Sequence, residues 1–223
     1  MKKLKAFTLV EVMIVLGIIG VVAAITIPTL NVKTEEARFI AQLHKANNTL
    51  QNAIKLAALD NDNLPVNHWA SVSAATSNEE KKIAIKNTIK SKMNTINDCT
   101  NINTCLSSTD YKNLKKGITT YLSQYQNLQT YCFMTSDGIT YCFLSSGTIF
   151  VDLNGPQKPN TFGVDSFNFS LNGLTNTVNA QNDLVVCNIN NSGDDINKKN
   201  GLGCTAWALR KGNMDYRRKT VNW

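Results

Sequence analysis

The chain has 223 residues, 43% of them hydrophobic, and a formal net charge of +7. That length holds one sizeable domain plus an extended element, and the composition lies in the ordinary range of chains that bury a core, which excludes a wholly disordered one. Three of the positive charges, Lys2, Lys3 and Lys5, stand together at the start, so the rest carries +4, too little to require a nucleic-acid partner.

The first predicted element is an apolar run from Phe7 to Ile27, in which Glu11 is the one ionisable residue. As a helix rising about 1.5 Å per residue it is about 30 Å long, the thickness of a bilayer's hydrocarbon core. The lysines before it predict that this end stays in the cytoplasm and that everything after Pro28 lies outside. A cleaved secretory signal shares the basic start and the apolar stretch, and Val22 with Ala24 offers a small-residue cleavage site. Glu11 argues against that reading, because a carboxylate in such a run costs about 2.5 to 3.5 kcal/mol on insertion scales and needs a partner.

Lys5-Ala6-Phe7-Thr8-Leu9-Val10-Glu11-Val12 resembles the processing site of type IV prepilins and type II secretion pseudopilins. The resemblance implies cleavage between Ala6 and Phe7 by a prepilin peptidase, N-methylation of Phe7, and a leader of residues 1–6. Ala6 departs from the family, which usually has glycine there. The resemblance further implies that the Glu11 carboxylate pairs with the α-amino group of a neighbouring subunit's Phe7, a charge that leader removal creates; an assembly-platform protein or the membrane interface are the other partners open to it. Other copies of the chain or related pilin subunits, the peptidase, the inner-membrane assembly platform and the membrane are the partners implied. Gly20 and Pro28 fall where many pilins carry a helix-weakening glycine and a proline. Since proline lacks an N–H and its ring collides with the carbonyl of Ala24, the helix is expected to kink or loosen between Gly20 and Pro28, the positions of the helix break.

Beyond it, Thr34-Glu35-Glu36 predicts a helix restart, and Ile40, Leu43, Leu50, Ile54 and Ala57 recur at three- and four-residue steps as one amphipathic stripe. The pattern fades at Asp60-Asn61-Asp62-Asn63-Leu64-Pro65. Residues 7–30 thus form a transmembrane and assembly half, 31–59 an amphipathic half, and 60–223 a head. In pilins the amphipathic half packs on a β-sheet, so the stripe reads as core. A second helix is predicted over Asn78 to Met93. From Tyr131 the period becomes two: Tyr131 to Thr135, Ile139 to Leu144 and Thr148 to Leu153, broken at Ser136-Asp137-Gly138 and Ser145-Ser146-Gly147, form a three-stranded antiparallel meander. The fold class is therefore α+β and type IV pilin-like, a long N-terminal helix packed on an antiparallel sheet.

Six cysteines, all in the second half and even in number, read as disulfides made in an oxidising compartment. A turn centred on Asp137 pairs Thr135 with Ile139 and sets Cys132 opposite Cys142, with Cβ atoms about 4.5 to 5.5 Å apart, near what a disulfide needs. The neighbours Cys99 with Cys105 and Cys187 with Cys204 take up the other four, one of the fifteen connectivities that six cysteines allow. A zinc site lacks close cysteine pairs backed by histidines, since His44 and His68 lie far upstream.

The stretch from Val151 to Phe167 concentrates oxygen-bearing side chains around two glycines, with Asp152, Asn154, Asn160 and Asp165 as candidate calcium ligands. It resembles a loop of bacterial pilin-like proteins, some of which hold calcium. The other reading is a long turn whose side chains bond their own backbone, stiffened by Pro156 and Pro159. No cofactor is required by either. No nucleophile elbow, P-loop or zinc-protease motif is present, so no catalysis is expected. The C-terminal Arg210-Lys211 and Arg217-Arg218-Lys219, interleaved with Trp207, Tyr216 and Trp223, suit DNA phosphates and bases, yet acids elsewhere leave the head only mildly basic, so a solvated tail accounts for them better and nucleic acid is not expected. The functional expectation is a structural subunit of a type IV pilus or type II secretion filament, held in the inner membrane with its head outside and then assembled. A minor pilin for DNA uptake or adhesion, or a single-pass anchored binding protein, are the alternatives.

Overall fold

In the computed structural model, residues 8–107, 110–144, 147–190 and 199–222 are described; Ala6, Phe7, Ser145 and Ser146 lie outside them. The chain divides into two units, with the boundary between Arg38 and Phe39. A single helix, α1 (Leu9–Leu59), supplies the first unit and the opening of the second.

Its start is encoded by Thr8-Leu9-Val10-Glu11, the reciprocal pattern of a capping box. The Glu11 N–H donates to Thr8 Oγ1 at 3.2 Å, while the Thr8 N–H and hydroxyl both donate to Glu11 Oε2 at 2.9 Å. Up to Arg38 no described residue is buried, although the stretch holds an 18-residue window of mean hydropathy 2.7. By length and composition it can cross a membrane.

Between Gly20 and Pro28, where a kink or loosening is expected, α1 runs through both residues without interruption. Proline removes one donor, at a cost of about 3 kcal/mol in a helix interior, and one lost bond does not divide a helix of 51 residues. Threonine hydroxyls add bonds to the same region: Thr26 donates to the Val22 carbonyl at 2.9 Å and Thr29 to that of Thr26 at 2.8 Å. Nor is there a restart at Thr34-Glu35-Glu36, since the Thr34 hydroxyl donates back to the Leu30 carbonyl at 2.9 Å instead of capping a new helix.

In the second unit α1 buries Phe39, Ile40, Leu43, Ala46, Leu50, Ala53, Ile54, Ala57 and Ala58, the predicted stripe with alanines between its large members. It ends at Leu59, before Asn63 in a left-handed conformation and Pro65. After a one-turn helix, α2 (Ala70–Ser73), comes α3 (Asn78–Lys90). Ser77 caps it, with Glu80 closing the box.

Among the described residues eight strands follow: β1 (Thr95–Asp98), β2 (Tyr111–Lys112), β3 (Ile118–Thr119), β4 (Cys132–Thr135), β5 (Thr140–Phe143), β6 (Thr148–Asp152), β7 (Ser166–Asn172) and β8 (Thr177–Ala180). Six form one antiparallel sheet in the order β1-β4-β5-β6-β7-β8, and β2 with β3 makes a separate ribbon. The predicted meander β4-β5-β6 is its centre. Phe133, Tyr141, Phe143, Ile149, Val151, Phe167 and Phe169 share one core with the α1 stripe. The opposite face buries Cys132, Cys142 and Phe150 beneath Tyr111, Leu122 and Phe162. Polar ties fix the helix across the sheet: Lys45 pairs with Asp137 in the β4–β5 turn at 2.8 Å, and the Gln51 amide donates to the Val178 carbonyl of β8 at 3.1 Å. A short helix, α4 (Thr205–Lys211), packs beside β7 and β8.

Candidate functional site

Two places concentrate the predicted site residues. At the start of α1, Glu11 sits in the first turn, where the helix dipole favours a carboxylate. Its side-chain partner within the chain is Thr8. The neighbours Leu9, Val10, Val12, Met13 and Ile14 are all exposed apolar residues, so the carboxylate lies on a surface that otherwise offers no polar contact. The Thr-x-x-Glu spacing that carries this cap was legible and missed, because Glu11 was read for an external partner alone. Ala6 and Phe7 lie outside the described residues, and Gly20 and Pro28 are helical positions within α1.

The second place is the connection between β6 and β7. These strands pair Asp152 with Ser166, so the residues between them form a loop closed at its neck, and Asp165 stands next to Ser166. The register therefore brings Asp152 and Asp165 together although thirteen positions separate them. Both are wholly buried. Asp152 accepts the Tyr111 hydroxyl on Oδ2 at 2.5 Å and the Asn154 N–H on Oδ1 at 3.0 Å. Asp165 accepts the Asn160 N–H on Oδ2 and the Thr161 N–H on Oδ1, each at 2.7 Å. Val151 to Phe167 is thus not all loop, since Asp152 ends β6, and Ser166 and Phe167 open β7.

Burial raises both carboxyls above their usual range, Asp152 well above it, with repulsion from Asp165 adding to the burial; Asp165 is pushed up to about 6 despite the N–H groups of Thr161 and Asn160, which pull it down. Burial, and then the Asp152 charge, raise the Tyr111 phenol, so it remains a donor. Asn154 and Asn160 complete the set: the Asn154 amide nitrogen donates to the Lys158 carbonyl at 2.9 Å and that of Asn160 to Ser107 Oγ, but the Oδ1 atoms of both are buried without a partner.

Two buried carboxylates and two unpaired amide oxygens fit a hard, oxygen-seeking cation, for which backbone carbonyls and water supply the remainder of six to eight ligands. They do not fit a transition metal of the imidazole or thiolate type, since among the described residues no three His, Cys, Asp or Glu side chains gather. Tyr111 was not foreseen, because it lies 41 residues from Asp152 in sequence and no local pattern announces it.

Cys132 and Cys142 pair across β4 and β5, S–S 1.99 Å, with Cα atoms 4.1 Å apart. The structure also joins Cys99 to Cys105 and Cys187 to Cys204. The C-terminal aromatics are committed elsewhere: Tyr216 is buried and donates to the Gly163 carbonyl at 2.7 Å, Trp207 is buried and donates to Asn213 Oδ1, and Asp215 pairs with Arg218 and Lys219. Trp223 lies outside the described residues.

Comparison with curated proteins and with solved structures finds no match for the chain. A family model does match, over residues 1–27: the prokaryotic N-terminal methylation motif. That segment contains the basic start, Ala6, Phe7, Glu11 and Gly20, and it ends one residue before Pro28. The chain thus carries at its N-terminus the signature of type IV pilins and pseudopilins.

Proposed function

We propose that this chain is a structural subunit, pilin or pseudopilin, of a type IV pilus or type II secretion filament, assembled after a prepilin peptidase cuts between Ala6 and Phe7. The methylation motif over residues 1–27 carries the reading. The exposed apolar stretch of α1 supports it, being long enough to wait in the inner membrane with the head outside and then to pack against other copies. On leaving the bilayer, the Glu11 carboxylate exchanges its Thr8 cap for the new α-amino group of Phe7 on a neighbouring subunit, and that pairing sets the axial stagger. Mass spectrometry of the mature N-terminus tests this: the expected species begins at N-methylated Phe7, and a chain starting near Ile25 or retaining Met1 overturns it.

A second reading concerns the β6–β7 loop, and the unpaired Oδ1 atoms of Asn154 and Asn160 favour it. Asp152, Asn154, Asn160 and Asp165 would hold calcium, which supplies the positive charge that two buried carboxylates lack and closes the loop. Calorimetry on the full chain in detergent should detect calcium binding, lost in Asp152→Ala and weakened in Asn160→Ala. Absence of heat at millimolar calcium overturns it.

A further inference from the structure

The head contains a second polar constellation, which reaches β7 at Asn168, two residues beyond the aspartate loop's neck. A cleft of about 450 Å³ opens between the start of β6, the middle of β7, the segment after β8 and the turn before α4, lined among others by Tyr121, Asn168, Gln181, Asp183, Lys199 and Leu202. Its volume lies within the range of small-molecule sites. The backbone that shapes it is pinned: the Gln181 N–H donates to the Asn168 carbonyl at 3.1 Å and the Asp183 N–H to the Gly203 carbonyl at 3.2 Å. At Gly203 an added Cβ would meet the Asp183 carbonyl oxygen at 2.2 Å, so two segments of the wall touch backbone to backbone.

The polar groups in this cleft are under-used. Asn168 is 6% exposed, and its Oδ1 is buried with no hydrogen-bond partner. Asp183 spends one oxygen, Oδ1, on the Val185 N–H at 3.0 Å. Among the described residues the Gln181 amide makes no side-chain hydrogen bond, and the Lys199 ammonium makes no ion pair but lies 5.8 Å from the centre of the Tyr121 ring. A buried acceptor without a donor is costly in the folded state, which sets the chemistry of whatever completes it. The ligand must bring hydroxyl or N–H donors to Asn168 Oδ1 and Asp183, and acceptors to Gln181 and Lys199. One carboxylate and one ammonium leave the lining neutral, so the cleft selects neither an anion nor a cation by charge. Planar amide and carboxylate groups, each able to meet two adjacent hydroxyls, beside the apolar Leu202 and Val186, match a ring that alternates hydroxyls with a C–H face.

We infer that this cleft binds a neutral saccharide unit, with Asn168 and Gln181 reading adjacent hydroxyls. Binding here is independent of whether the chain enters a filament, because among the described residues the lining comes from the head, Tyr121 to Gly203.

Saturation-transfer NMR on the full chain, in a detergent without a sugar headgroup, tests it with glucose, galactose, mannose and N-acetylglucosamine at millimolar concentration, and with glycine as a zwitterionic control. Transfer to at least one sugar and none to glycine is expected, with binding at least tenfold weaker in Gln181→Ala. That residue keeps its backbone bonds in the variant, so the fold is retained, and Lys199→Ala serves as an independent second variant with the same expected loss. No transfer to any sugar, transfer to glycine in place of sugar, or sugar binding undiminished in both variants would overturn the inference.

Discussion

Glu11 has one partner within the chain and a second in the proposed filament. In the single chain its carboxylate closes a capping box with Thr8, and in the proposed filament it neutralises the amine of a neighbour's Phe7. Glu11→Leu removes the carboxylate from both. Thr8 Oγ1 still caps the residue-11 N–H, so the helix start keeps half of its box, while inserting the isolated helix into a bilayer becomes easier by a few kcal/mol. The expected outcome is a processed, membrane-inserted protein that is depleted severalfold from sheared filaments, read by membrane fractionation beside a filament assay. Asp165 offers a separate residue-level test. Its folded pKa of about 6 lies above the ordinary 3.8, so the folded state binds the extra proton between those values. Its contribution to stability is present below about pH 4 and is lost as pH rises to about 6, on the order of 3 kcal/mol. Chemical denaturation with a chelator present should show that fall in the wild type relative to Asp165→Asn.

At the scale of elements, α1 was the most legible part, because an apolar stripe at helical spacing has one interpretation. Ile40, Leu43, Leu50, Ile54 and Ala57 are all buried against the sheet. Leu50→Ala in this interface should destabilise the head by about 2 to 5 kcal/mol in denaturant titration, and the equivalent change at exposed Leu56 by less than about 0.5 kcal/mol. The centre of the sheet was legible from its turns, and the register around Asp137 followed from them. What failed is instructive. Strand β7, Ser-Phe-Asn-Phe-Ser-Leu-Asn, alternates strictly, yet the sequence reading has no strand there, and its first two residues fall inside the oxygen-rich stretch that ends at Phe167. Strand β1 is four residues long with a register shift, too short and irregular for a period to emerge.

At the scale of the molecule, the aspartate loop was visible as composition, but its depth was not. Oxygen-rich loops are usually solvated; this one buries Asp152 and Asp165 where Tyr111, from a distant segment, stacks on the loop's own Phe162 with ring centres 5.4 Å apart. Long-range closure of that kind leaves no local trace. The cleft beside Asn168 was invisible for the same reason, as its walls come from five separate stretches of chain.

The placement of the covalent cross-links has a mechanical consequence. The three disulfides span 6, 10 and 17 residues, all between Cys99 and Cys204, and none reaches α1. A tensile load carried along the α1 helices of a filament would therefore pass into each head by shear across the Leu43, Leu50 and Ile54 interface and the Lys45 to Asp137 tie, with no disulfide in the path and the peptide chain after Leu59 as the covalent link. Under such a pull the apolar seam bears the load before any cross-linked loop does.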